Sequence, residues 1–226
     1  MPSSAQTNLP ISFTVVHEDE PADALLDFAS NADVNAVTRW RVPTLDDELM
    51  QARAHDAREF ALLAAKRWRH YRDTDAAATS LAALKQMIAD QPQGEFSFYL
   101  KITADWFPAI LGGAMIRRTW HHHLALDFLF VHPRVSTKLV NVKSVGLQLL
   151  QAVCLIAQTL DCQQVWGETT QDSAPFYRRH LSRPVDDQFA IDKDEIVTLA
   201  TEFAAKRSSE PKTSLPQSSP PTTIHP

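Results

Sequence analysis

The run Lys143-Ser144-Val145-Gly146-Leu147-Gln148 sets a cation three residues ahead of a glycine, where an apolar stripe of helical period begins (Leu149, Leu150, Val153, Ala157, Leu160). A helix opening there offers backbone N–H groups without intrahelical partners and the positive end of its dipole, a combination that binds phosphate or diphosphate. The same residues also read as a helix-capping glycine beside an exposed lysine. Upstream, Asp127 interrupts the apolar run Leu124–Val131, which is predicted to put Leu124, Leu126, Phe128 and Phe130 on one strand face and Asp127 on the other. A carboxylate on such a strand costs free energy unless it is paired or set in a cleft. Asp127 is therefore a candidate base or binder of a cationic amine, with a buried salt bridge as the competing reading. Glu168, at the end of the next predicted strand, is a second carboxylate that could point into the same cleft. His121-His122-His123 does not read as a metal site, because successive strand residues point to opposite faces and no partner stands at a zinc spacing. A polar turn is the expectation there, although one imidazole could face an acceptor as a base. Ser173 lacks the context of a hydrolase nucleophile.

Three features follow one another along the chain: a strand ending in Val131-His132-Pro133, the Lys143–Gly146 run, and the Phe176-Tyr177 pair. In this order they resemble the cofactor-binding half of the GNAT acyltransferase superfamily. The resemblance implies an α+β fold whose mixed, mostly antiparallel sheet is flanked by helices. It implies acetyl-CoA as acyl donor and transfer of the acyl group to a primary amine, on a small molecule or a peptide, by direct attack on the thioester. Lys143, Ser144, Val145, Gly146, Leu147 and Gln148 would hold the diphosphate, and the backbone of Leu129, Phe130 and Val131 would hold the pantetheine arm. Thr170 and Ser173 would add cofactor contacts. The resemblance makes Tyr177 the general acid for the departing thiolate, beside the bland reading in which Phe176 and Tyr177 anchor a helix. This sequence departs from the family pattern at Gln148, where Gly or Ala is usual, at Thr170, where Asn is usual, and in a longer loop between Pro133 and Gly146. A non-catalytic GNAT-like module that senses CoA or binds a peptide or protein partner is the expectation from another class.

The frame for these residues is read from hydrophobic period. Ile11 to Val16 has strand content, and Pro21 is predicted to open a helix over residues 22–30. Residues 31–43 show no period; Arg39-Trp40-Arg41 within them reads as a Trp over the core edge, or as a substrate-side contact. A long helix is predicted from an N-cap at Thr44, with a stripe of Leu45, Leu49, Ala57, Phe60, Ala61, Ala64, Trp68 and Tyr71, and a second helix from Asp75 to Asp90. Together residues 44–90 form a helical insert on the acceptor side in the resemblance. The period then changes to two: Phe96, Phe98, Leu100 and Ile102 alternate with polar residues, and strands over Ile110–Thr119 and His123–Val131 complete an antiparallel meander. A helix over Gly146–Leu160, a strand over Gln163–Thr169 parallel to its predecessor, a helix over Asp172–Leu181, a strand over Gln188–Ile191 and a helix over Lys193–Lys206 follow. The sheet is expected to have six or seven strands.

Composition sets the outer bounds. At 226 residues and 44% hydrophobic content, one domain over residues 11–206 is expected, with residues 1–10 and the Ser/Pro/Thr-rich 207–226 disordered. A net charge of -5 argues against a nucleic-acid binder that relies on a basic surface. No run of apolar residues reaches the length of a membrane span, and the N-terminus lacks the pattern of an export signal, so a cytoplasmic monomer or homodimer without metal is expected. Cys154 and Cys162 read as buried thiols of a reducing compartment.

Overall fold

The computed structural model describes residues 9–207; the disorder expected of residues 1–8 and 208–226 lies outside the described residues. Strand β1 (Ile11–His17) buries Ile11, Phe13 and Val15, and the chain reverses at Glu18 and Asp19, both at positive φ, into β2 (Glu20–Phe28). The helix expected over residues 22–30 is therefore a strand. Its alternating burial at Ala24, Leu26 and Phe28 is filled by ladders on both sides, to β1 and to β4, and this tertiary pairing overrides the helix propensity of the segment. Pro21 is tolerated because pairing with β4 begins only at Leu25.

Residues 31–43 hold a short helix that shows no sequence period, α1 (Asn31–Val37), fixed by a reciprocal capping box between Ser30 and Asp33. The long helix α2 (Glu48–Asp73) begins at Asp47, whose carboxylate accepts from the Met50 N–H, and not at Thr44. After it come β3 (Ala77–Ala78) and α3 (Leu81–Asp90), which starts from its cap at Ser80 because Ala77 and Ala78 pair with β4. The meander is β4 (Phe96–Ala104), β5 (Phe107–Arg118) and β6 (Leu124–Val131), antiparallel throughout as the period predicts. The remaining elements are α4 (Pro133–Ser136), β7 (Val142–Lys143), α5 (Val145–Thr159), β8 (Gln164–Glu168), α6 (Ala174–Leu181), β9 (Gln188–Asp192) and α7 (Lys193–Ala204).

Among the described residues the strands form one α+β sheet in the order β7-β1-β2-β4-β5-β6-β8-β9, with β3 joined to β4 off this path. The count of nine exceeds the expected six or seven because β3 and β7 are two-residue pairings, too short to carry a period, and because β2 replaces a helix. One face packs under α3, α5 and α7 through Leu26, Phe98, Leu100, Leu149, Val153 and Phe203. The other packs under α1 and α2 through Val34, Trp68, Tyr99, Met115 and Phe130. Strand β4 is thus buried on both faces: Ser97 and Tyr99, which alternate with its apolar residues, are as inaccessible as Phe98. Cys154 and Cys162 are free and buried, and burial pushes the Cys162 thiol up to about 12.

The end of β6 is tied down by His132. Its ring sits 4.6 Å from Trp40 and 5.1 Å from Phe107, and its Nδ1 accepts from the Arg134 N–H to cap α4. Burial, helped by the Arg134 charge, pushes its pKa down to about 4. An unfolded histidine titrates near 6.5, so between these values the unfolded chain binds more protons than the folded one. The contribution is therefore complete above pH 6.5 and is lost as pH falls toward 4. After allowance for partial solvation its size is about 2 kcal/mol. Urea unfolding at pH 7 and pH 4.5 is expected to show this loss in the wild type and a smaller loss in His132→Asn, which keeps a capping side chain. Equal losses in the two proteins would refute the assignment.

Candidate functional site

A bulge in β6 creates the site. Met115 pairs with Phe128 and Ile116 with Leu126, so Asp127 has no partner across the ladder. The extra residue reverses the alternation: Leu124 and Leu126 join the core under α5, whereas Phe128 and Phe130 join the one under α2. The single face expected for all four is therefore split in two. A bulge bends its strand, and β6 leaves its parallel neighbour β8 immediately before it. Only Leu124↔Val165 and Ala125↔Trp166 pair; beyond them no strand of β8 covers the edge of β6. A wedge opens between the two strands, with Leu129, Phe130 and Val131 along one side.

The start of α5 faces this wedge. Its N-cap, Ser144, lies in the left-handed region at φ 68°, and no side chain caps the first turn. The N–H groups of Val145, Gly146 and Leu147 are those that an α-helix leaves without internal partners. Gly146 is the second helical residue and no cap, and none of the glycines has positive φ. Its bare Cα is useful for a different reason: a Cβ there would lie 3.5 Å from Phe176 and 3.6 Å from Leu129, at the floor of the cleft.

The cleft has a volume of about 680 Å³, within the range of small-molecule sites. Nine of the eleven residues expected to hold the cofactor line it: Leu129, Phe130, Val131, Ser144, Val145, Gly146, Leu147, Thr170 and Ser173. Thr170 and Ser173 brace each other, the Thr170 N–H donating to Ser173 Oγ at 2.8 Å and the Ser173 N–H to Thr170 Oγ1 at 3.2 Å. Lys143 and Gln148 do not line the cleft. Lys143 is still in β7, paired with β1, and its ammonium meets Asp19. Gln148 is turned into the protein at 3% exposure, its Oε1 without a hydrogen-bond partner, so its bulk does not crowd the first turn.

The three candidate catalytic residues are placed elsewhere. Helix α6 buries Ala174, Tyr177 and Leu181 and turns Ser173, Phe176 and His180 to the cleft. Tyr177 stacks on Phe189 at 4.2 Å, and burial raises the pKa of its phenol; the helix-anchoring reading describes its position. Asp127 accepts two hydrogen bonds from Arg117 Nε and one from Nη2, at 3.0 to 3.2 Å, and Arg67 of α2 stands 3.5 Å away. That is the buried salt bridge. Glu168 is exposed in the ladder with β9, opposite Gln188. Arg39-Trp40-Arg41 takes its bland reading in part: Trp40 is buried, 5.8 Å from Phe130 and against His132. The histidine triplet is a turn: His122, at φ 62°, accepts from Arg118 at Nδ1 and bonds the Leu160 carbonyl through Nε2. Among the described residues no group of three or more His, Cys, Asp or Glu could hold a metal, and no helix is long and apolar enough to cross a membrane.

Five ionisable lining residues are not among the candidates from sequence: Arg53, Asp56 and Asp172, with Arg179 and His180 of α6. His180 lies 4.8 Å from the Phe176 ring, and its pKa is lowered by burial and by the Arg179 and Lys206 charges. The signal was present in α6, where Ser173, Phe176 and His180 recur at helical spacing on a second face beside the buried one.

No family model matches the chain, and no curated protein matches it. Its fold is similar to solved GNAT acetyltransferases at low sequence identity. Apo FdhC, a nucleotide-linked sugar GNAT, matches over 89% of this chain and 100% of its own, at 10% identity and a TM-score of 0.44. PaiA N-acetyltransferase from Thermoplasma acidophilum, solved in complex with coenzyme A, matches over 74% of this chain and 96% of its own, at 13% identity and a TM-score of 0.40. The chain spans about half of nourseothricin acetyltransferase, covering 48% of that protein and 37% of this one at 18% identity and a TM-score of 0.32.

Proposed function

We propose that this protein binds acetyl-CoA in the β6/β8 wedge and transfers the acetyl group to a primary amine. One observation carries the reading: the uncapped first turn of α5 and the unpaired edge of β6 border the same cleft. A diphosphate matches the first, since backbone N–H groups and the helix dipole both favour an anion. A pantetheine arm, with its two amides, matches the second, because it can add to a strand edge as another strand would. Arg179 and His180 also line the cleft and add a charge and a hydrogen-bonding ring.

In the transfer the amine lone pair forms the C–N bond to the thioester carbonyl, and the C–S bond then breaks. The nitrogen gives up one proton and the CoA thiolate takes one. A thiol ionises near 8.5, so thiolate is a tolerable leaving group at neutral pH and does not demand a dedicated acid. Since Tyr177, Asp127 and Glu168 do not border the cleft, solvent at its open mouth carries both protons in this reading. Transfer then depends on the free-amine form of the acceptor.

Titration calorimetry with acetyl-CoA, followed by release of free thiol on adding a panel of amines, tests the proposal. Saturable micromolar binding and amine-dependent thiol release are expected. Lack of binding at millimolar cofactor would overturn the reading. Binding without release by any amine would favour a non-catalytic CoA sensor.

A further inference from the structure

Helix α2 carries two stripes, and only one faces the core. Ala61, Ala64, Ala65 and Trp68 pack on the sheet, and Ala54 is buried on the same helix. Leu49, Ala52, Arg53 and Asp56 form the other, at spacings of three and four, and line the cleft together with Ala57 and with Phe60, which also packs against the core. The overhang is fixed, because α2 packs on α4 and the Ser136 hydroxyl reaches the Arg53 carbonyl at 3.5 Å. Leu49 is 59% exposed, a large apolar side chain presented to the cleft without packing beneath it.

Arg53 and Asp56 are opposite charges one turn apart. Such pairs commonly meet, yet neither side chain has a hydrogen bond or ion pair with another described residue, nor with the other. If the first turn of α5 takes the phosphates of the donor and the β6 edge its arm, the α2 wall is the side left for the acceptor. We infer that the acceptor is an α-amino acid with an apolar side chain: its carboxylate lies on Arg53, its ammonium on Asp56, and its side chain on Leu49, Ala52 and Phe60. This rests on the acetyl-CoA reading above. An arginine fork matches a carboxylate in two parallel hydrogen bonds, whereas a single carboxylate suffices to orient an ammonium. The acceptor amine is thereby held close to the wedge before it loses its proton.

L-Phenylalanine and L-phenylalaninamide differ only in the carboxylate, and the amide's amine is the more readily deprotonated, so without a carboxylate site the amide is the faster acceptor. Steady-state acetylation by the wild type is expected to favour phenylalanine at least tenfold in kcat/KM. Arg53→Gln should remove that preference by raising KM for phenylalanine alone, and Asp56→Asn should weaken both acceptors tenfold or more. Acetyl-CoA affinity, measured by calorimetry, should be unchanged in both variants. Equal or reversed preference in the wild type, or turnover of neither acceptor by a protein that binds acetyl-CoA, would overturn the inference and leave the cofactor reading standing. Weaker acetyl-CoA binding by Arg53→Gln would assign Arg53 to the donor and overturn it as well. If the wild type binds no acetyl-CoA, the cofactor reading falls and this inference with it.

Discussion

Replacing Gly146 by tryptophan is expected to weaken acetyl-CoA binding at least 100-fold, about 2.7 kcal/mol, while the protein stays folded. The space a Cβ would meet at this position is bounded by Phe176 at 3.5 Å and Leu129 at 3.6 Å, ordinary contact distances. A methyl group is therefore accommodated, and Gly146→Ala is the matched control: it should bind within a few-fold of wild type. An indole cannot stop at the Cβ. Its next atoms must enter the wedge between Leu129 and Phe176, where the pantetheine arm is placed, and beside the N–H groups that face the diphosphate. Because the obstruction fills a cleft and not a packed core, the penalty falls on binding and spares stability. Calorimetry on the three proteins, with a thermal melt of each, separates the two. Equal affinity of Gly146→Trp and wild type would contradict the placement of the cofactor.

How far the sequence carried this site depends on which signal each part used. The α5 turn was legible because a period-3.6 stripe, a glycine and a preceding loop are all local. The strand end at Leu129 to Val131 is equally local, but its place beside a cofactor comes from the family resemblance alone. The mistaken parts share another cause. The alternation of β6 fails at one bulged residue, and a bulge is set by the register of the neighbouring strand, which leaves no trace in Leu-Asp-Phe itself. Residues 22–30 read as a helix because only one of their two ladder partners, β1, is local; the other, Leu100–Thr103, lies over seventy residues away. On α2 the single expected stripe serves two surfaces: Trp68 lies in the core and Phe60 packs against it, whereas Leu49, near the N-terminus where the helix overhangs the sheet, faces the cleft, which Ala57 and Phe60 also line. Tyr177 shows the complementary limit. Sequence placed it on the right helix, but whether Phe176 or Tyr177 faces the cleft depends on where β9 lies, and Phe189 of β9 takes Tyr177.

Asp127 supplies the second large effect, and here the expected loss is of stability. Its carboxylate, 12% exposed, is held by Arg117, 18% exposed, whose other Nη reaches Glu95 at 3.1 Å. Glu95 in turn accepts from the Tyr71 hydroxyl at 2.6 Å, and Arg67 completes the chain at 3.5 Å from Asp127. The Asp127 hydrogen bonds raise the pKa of the Arg117 guanidinium, and once that partner is removed the guanidinium still cannot discharge, because an arginine stays protonated at any ordinary pH. Asp127→Ala therefore leaves a fixed positive charge beside Arg67 in a half-buried setting, and about 3 kcal/mol of unfolding free energy should be lost. Removing both ends restores part of it: Asp127→Ala with Arg117→Met is expected to be more stable than Asp127→Ala alone, a coupling that a double-mutant cycle in urea measures directly. Acetyl-CoA affinity should be untouched in either variant, because the network lies under α2 and outside the cleft. The competing role for Asp127, a base for the acceptor amine, predicts the reverse pattern in Asp127→Asn: kcat down by two orders of magnitude with the unfolding midpoint unchanged. A variant that melts early but turns over normally assigns Asp127 to the fold; one that melts normally but does not turn over returns it to the chemistry.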